Sequence, residues 1–424
     1  MVQVHHKLSH VIYGSFVLLI LFSSTVIGVS LYGNITLNST YTTDLIGASG
    51  TVSFPSISYV YDFQMRRNSV TKPFYGYMTL DHYWYINNAY FYFHNKNFKI
   101  KVGRMHFVEG PGEFYHLFLS DSAGPLNGLS IYYKPNGFFN FKQDMISLND
   151  VNPRSLYYRR FTVHLTKKFS ISYEESILFM RAFDPWYAFI MLPYPAIEVF
   201  RGMNAPWNQN NINDNALAGF STNYDLSAKS RIYGELLIDD LDMNAIFAPN
   251  KFQNPNKIAW LLGAQFSALN SQITVEYAGA TAYTFEKTSM SDPNGYAYVV
   301  YPNYDKVDGN MLGYKYGENN DAFKAQIVYP TKFGNLSVSY EHVRLGKRTP
   351  LIPWHGLSHA PSGTHWLDGP VIETRNIFGI GAQINWQRLT FEPSLSYEKI
   401  QNVNLQKGVD TNNWKMSVIV VYSF

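Results

Sequence analysis

From residue 31 onward the chain alternates apolar and polar side chains. Leu389, Phe391, Leu395 and Tyr397 share one face, and Thr390, Glu392, Ser394, Ser396 and Glu398 share the other. Phe169, Ile171, Tyr173 and Ile177 likewise oppose Ser170, Ser172, Glu174 and Ser176. The same holds for Ile273, Val275 and Tyr277 against Gln272, Thr274 and Glu276, and for Leu336, Val338 and Tyr340 against Ser337, Ser339 and Glu341. Successive side chains of a strand point to opposite faces, so period two predicts strands with one greasy and one polar face. No segment carries the 3.6-residue period of a long amphipathic helix.

Such strands either pack their apolar faces on a core or turn them to lipid. Soluble strands run about 5–6 residues and membrane strands about 9–11; most segments here run about ten, and no helices are at hand to cover a large sheet. The expected fold is therefore all-β, a transmembrane antiparallel β-barrel. Trp414, Met416, Val418, Val420, Tyr422 and Phe424 form one face of a closing strand that ends on an aromatic residue. This looks like the terminal strand by which outer-membrane insertion machinery recognises its clients. Turn-forming residues predict tight hairpins at about 68–72, 95–96, 136–137, 167–168, 227–228, 269–270, 331–333 and 387–388. With the terminal strand, and Leu31–Leu37 added to make the number even, the count is about eighteen, within a range of about 16–20. Residues 85–88 would then form a very short outer turn. Short turns face the periplasm, and the longer connections around 105–127, 181–215, 240–257, 283–321 and 346–375 face outside.

The one long apolar run, Val11–Phe22, follows Lys7 and precedes the small residues Gly28 and Ser30. That is the layout of a secretory signal over 1–30 with a cut after Ser30, leaving 31–424 as the barrel. Composition agrees with export. Cysteine is absent, aromatics make 17% of residues against 15% charged, and the formal charge is only +3. So small a charge gives no electrostatic footprint for nucleic acid.

With the apolar face toward lipid, Glu174, Glu235, Glu276, Glu341, Glu392, Glu398, Lys99, Lys101, Arg160 and His164 fall in the lumen. They would form either a paired network that fills it or an ion-selective ladder. The apolar stretch Phe183–Pro195 is expected to fold over the lumen or pack on the rim. Trp186, Trp207, Trp354 and Trp366 are loop aromatics; beside Asp239, Asp240 and Asp242 they offer rings and carboxylates for stacking and bonding a sugar, or else belong to an interfacial girdle. His355, His359 and His365, with Asp368 nearby, could hold a divalent metal, but glycine and proline interrupt their spacing, so hydrogen-bonding loop residues are expected instead. No cofactor is implied, and no nucleophile motif or phosphate loop announces an enzyme.

Asn215-Ala-Leu-Ala-Gly-Phe220, Arg231-Ile-Tyr-Gly-Glu-Leu-Leu-Ile-Asp-Asp-Leu241 and Pro255-Asn-Lys-Ile-Ala-Trp-Leu-Leu-Gly-Ala264 resemble the Wzi family of capsule-assembly outer-membrane proteins. Ile273–Tyr277, Tyr283–Phe285, Leu312–Gly317, Tyr158–Leu165 and Ile171–Ser176 continue the likeness, which covers about 155–320. It implies an eighteen-stranded barrel and a non-enzymatic, lectin-like role toward capsular polysaccharide, with outer-membrane lipid and the insertion machinery as further partners. The short region before the first strands lacks the helical N-terminal segment of better-known members. A porin or other diffusion channel for small solutes is the alternative.

Overall fold

The computed structural model describes residues 26–38, 42–67, 77–79, 82–149, 153–201, 214–247, 255–286, 297–300, 309–347 and 364–424. Its strands are β1 (Val26–Asn38), β2 (Thr42–Ser53), β3 (Ile57–Arg67), β4 (His82–His94), β5 (Phe98–Met105) and β6 (Leu126–Tyr133). Next come β7 (Phe139–Asn149), β8 (Arg154–His164), β9 (Phe169–Phe179), β10 (Asn215–Ser227), β11 (Ser230–Asp240) and β12 (Lys257–Ala268). The last six are β13 (Ser271–Ala280), β14 (Asn320–Thr331), β15 (Gly334–Leu345), β16 (Glu373–Trp386), β17 (Leu389–Gln401) and β18 (Thr411–Ser423). Each pairs antiparallel with its neighbours in sequence, and β1 pairs with β18 from Ser30↔Ser423 to Asn38↔Lys415, closing an eighteen-stranded barrel. A three-residue piece, Tyr77–Thr79, adds onto the outer end of β4.

The turns are built by the residues that favour them. Asn95, Asn136 and Thr166 each fold a side-chain oxygen onto two backbone N–H groups just ahead. Leu269 and Asn270 both take positive φ, 51° and 61°, in the two-residue hairpin between β12 and β13.

Two expectations at the start of the barrel fail. The first turn is at 54–56, where the Phe54 N–H bonds the Ile57 carbonyl at 2.7 Å; residues 68–72, where it was placed, lie outside the described residues. Residues 85–88 are no turn at all. They lie inside β4, where the register slips so that Asp62 faces Asn88 and Phe63 faces Ile86, leaving Asn87 as a bulge. β1 also begins five residues before Leu31, so a cut after Ser30 would remove Val26–Ser30 from a strand paired along its length with β2.

Ile46, Phe91, Phe220, Leu262, Val338, Phe378 and Trp414 stand exposed on the exterior, as a lipid-facing wall requires. No helix among the described residues is long and apolar enough to cross a membrane. The interior departs from a simple polar lumen. Leu156, Tyr158, Leu178, Leu217, Leu237 and Leu261 point inward from the outer halves of their strands and are buried. They pack on two inward-folded connections, one around residues 107–119 and the other around Phe285 and residues 297–300 and 311–314. One dry core therefore sits inside the barrel.

Candidate functional site

The two inward connections form a plug, and the inner carboxylates hold it. Glu276 of β13 accepts the backbone N–H groups of Glu113, Phe114 and Tyr115 and the Tyr233 hydroxyl. Gly263 leaves room for that tyrosine: a Cβ there would lie 2.2 Å from the ring. Glu341 gathers the Tyr115 hydroxyl at 3.0 Å, Lys315 at 2.8 Å, Tyr316 at 2.7 Å and, more loosely, Lys324 at 3.5 Å. Burial, then the Glu341 charge, pushes the Tyr115 phenol far above its ordinary value, so it stays a fixed donor. Glu235 accepts the Leu117 N–H at 3.4 Å. Glu174 bonds Tyr158 at 2.6 Å and also Ser221. Arg160 pairs at 3.1 Å with Glu109 of the plug, which Lys142 also meets. The second connection is tied by Arg154, whose guanidinium donates to the carbonyls of Ala297, Val299 and Val300. Tyr298 completes the join, its hydroxyl within bonding distance of the Phe118 carbonyl and Ser176. A buried carboxylate is tolerable only with such partners. Glu109, Glu235, Glu276 and Glu341 are therefore anchors of the plug, whereas Glu174 ties one wall strand to its neighbours.

The plug leans on one side. On the inner faces of β16–β18 and β1–β4 most side chains stay half-exposed and outside the dry core. On the flank from β3 to β6, Arg66 stacks 3.7 Å over Tyr85, Lys101 lies over Tyr90 and Tyr92, and Lys99 lies over Tyr132. Tyr92 stacks on His94 at 5.0 Å. On β17, Glu392 accepts from Gln383 and Glu398 from Asn413. His164 pairs with Asn140 at 3.0 Å near the turn side. The tyrosines went unread in the sequence although their signal was present: in β4 they alternate with Phe91 and Phe93, tyrosine inward and phenylalanine outward.

The described members of the expected sugar-binding set make separate contacts. Asp239 accepts the Phe285 N–H at 2.8 Å, Asp240 stands 3.8 Å from Lys257, and Asp242 caps a short helix through the Asn244 N–H at 2.9 Å. Trp366 packs edge-on against Trp260, whose register partner Leu236 is exposed on the exterior. Trp186 lies 5.7 Å from Phe200 in a helical segment that also covers the outer wall. Both rings thus sit where an interfacial girdle would. Trp207, Trp354, His355 and His359 lie outside the described residues. His365 stands 3.7 Å from Asp368, and no cluster of metal-ligating side chains occurs among the described residues.

No family model matches the chain, and no curated protein does either. Solved structures do match. One is Wzi of Escherichia coli, an outer-membrane protein involved in group 1 capsule assembly and a carbohydrate-binding β-barrel, with TM-score 0.58 and 12% identity over 92% of this chain and 83% of that one. Another is OccD3 (OpdP) of Pseudomonas aeruginosa, at 0.53 and 9% identity over 95% and 92%. OprD of Pseudomonas aeruginosa follows at 0.50 and 9% over 95% and 96%. At such identities the likeness is one of fold. With the apolar exterior, it makes this chain a bacterial outer-membrane barrel.

Proposed function

We propose that this barrel binds capsular or other surface polysaccharide, without chemistry on it, as a relative in kind of the Wzi family. The observation that carries the reading is the plug. Its dry core fills the outer half of the lumen over β6–β15, an arrangement suited to holding a ligand rather than passing solutes freely. The unfilled flank supplies what a sugar needs: tyrosine faces for stacking, and Lys99, Lys101 and Arg66 for acidic groups. An acidic polysaccharide fits that flank best. Export by an N-terminal signal belongs to the same reading, with a cut that leaves β1 whole only upstream of Val26.

The second reading is a narrow channel for anionic solutes along that flank, favoured by the exposed Lys99 and the half-exposed Lys101 on its inner face. The purified barrel is expected to bind acidic bacterial polysaccharide in a glycan array, with K99Q/K101Q binding less. In planar bilayers it should carry little steady current. Large single-channel conductance with no glycan bound would replace the first reading with the second.

A further inference from the structure

Between β9 and β10 the chain forms a strap with two helices, α1 (Pro185–Phe189) and α2 (Tyr194–Arg201). It packs on the outside of the wall. The register sets Gln143, Arg159 and Glu175 side by side, one row outward from Phe141, Phe161, Tyr173 and Phe220. Phe220 is exposed on the exterior, so the polar trio points to the lipid side as well. Yet Arg159 and Glu175 are each only 1% exposed.

The strap accounts for that. Arg159 pairs with Glu175 at 2.7 Å, donates to the carbonyls of Ile190 at 2.8 Å and Leu192 at 2.6 Å, and stacks 3.8 Å from the Tyr194 ring. Glu175 also accepts the Tyr194 N–H at 2.6 Å and the Tyr173 hydroxyl at 3.0 Å. Gln143 reaches the Ala188 carbonyl at 3.1 Å. At the rim, Arg181 and Arg201 join Asp184 and Asp214 in one network, which also takes the Tyr187 hydroxyl. The opposite side of the strap is greasy: Phe189 is 70% exposed and Val199 80%, with Met191, Leu192 and Phe200 beside them.

Height decides what covers that side. Glu175 lies six residues along β9 from its turn-side end, about 14 Å up at ~3.3 Å per residue and ~45° tilt, within an apolar band about 25 Å tall. We infer that the strap is seated in the outer leaflet, its exposed face against acyl chains, where it shields an ion pair from lipid. Its apolar face continues the lipid-facing wall around Phe220, and its charges gather at the rim, where headgroups begin.

The cysteine-free chain makes the test direct. Nitroxide labels would be placed on F189C and V199C in phospholipid vesicles. F378C on the bare lipid-facing wall and K407C in the outer connection after β17 serve as references. Collisions with oxygen and with a water-soluble nickel chelate are then compared. Positions 189 and 199 should behave like 378, open to oxygen and closed to nickel. Nickel access like that at 407 would overturn the inference. So would shielding from both reagents, which would mean a protein partner or a second copy covers the face. M191C repeats the measurement should either strap variant fail to show the heat-dependent gel mobility of a folded barrel.

Discussion

At Glu276, three backbone N–H groups and one phenol meet a single carboxylate, so its removal strands four donors inside the barrel. Each buried donor left unsatisfied costs about 1–3 kcal/mol. E276A is expected to leave the wall folded while loosening the plug, seen as new protease cuts within 106–125 at unchanged heat-dependent gel mobility. His116 gives the plug a pH dependence. Burial lowers its pKa, with Glu113 and Asp121 acting the other way. A histidine with a depressed folded pKa binds more protons when unfolded, so its share of stability is present above about 6.5 and is lost as pH falls below that. Amide protection around residue 116 should drop between about pH 7.5 and about pH 5, and H116Q should flatten the change. The inward parity of Glu276, Glu235 and Glu341 was legible from alternation alone. Their partners were not, because nothing in a strand's pattern reveals which distant backbone it will accept.

Among elements, the wall was the readable part. Every hairpin but the first falls on an observed turn to within a residue; asparagine, threonine or glycine marks most of them, and a break in alternation marks those at 227–228 and 387–388. The first was missed because Phe54-Pro55-Ser56 interrupts alternation so little, whereas Asn68 and Ser69 are residue types that favour turns. Asn87 hid a bulge for a related reason: one extra residue shifts parity and mimics a turn. Deleting Asn87 would set Ile86 and Asn88, which already face opposite sides, next to each other and restore plain alternation, so the deletion should keep heat-dependent mobility and lose only the contacts of Asn87 to Asp62 and His106. The plug left its own trace in runs such as Leu156-Tyr157-Tyr158, Ile177-Leu178-Phe179 and Leu236-Leu237-Ile238, apolar inward where the plug packs and apolar outward where the strap or lipid does. For the strap, breaking the Arg159–Glu175 pair from one side should cost about 3–5 kcal/mol, and replacing both with apolar residues much less. Thermal unfolding of E175A against R159M/E175L in detergent would measure the difference.

Across the whole molecule, the plug and its seats are far apart in the chain. Phe114 and Tyr115 find Glu276 and Glu341 at separations of 162 and 226 residues. Those acids belong to β13 and β15, which follow most of the wall, and the final seam joins β1 to β18. The first inward connection therefore cannot take its place until nearly all of the cylinder exists. Pulse-labelled exchange during refolding should find amides 113–117 protected after those of β2 and β3. It follows that the nascent protein passes through a stage in which the wall bearing Glu276 and Glu341 stands without its stopper. Biogenesis, rather than the mature state, is when these carboxylates would lack the donors that make their burial tolerable.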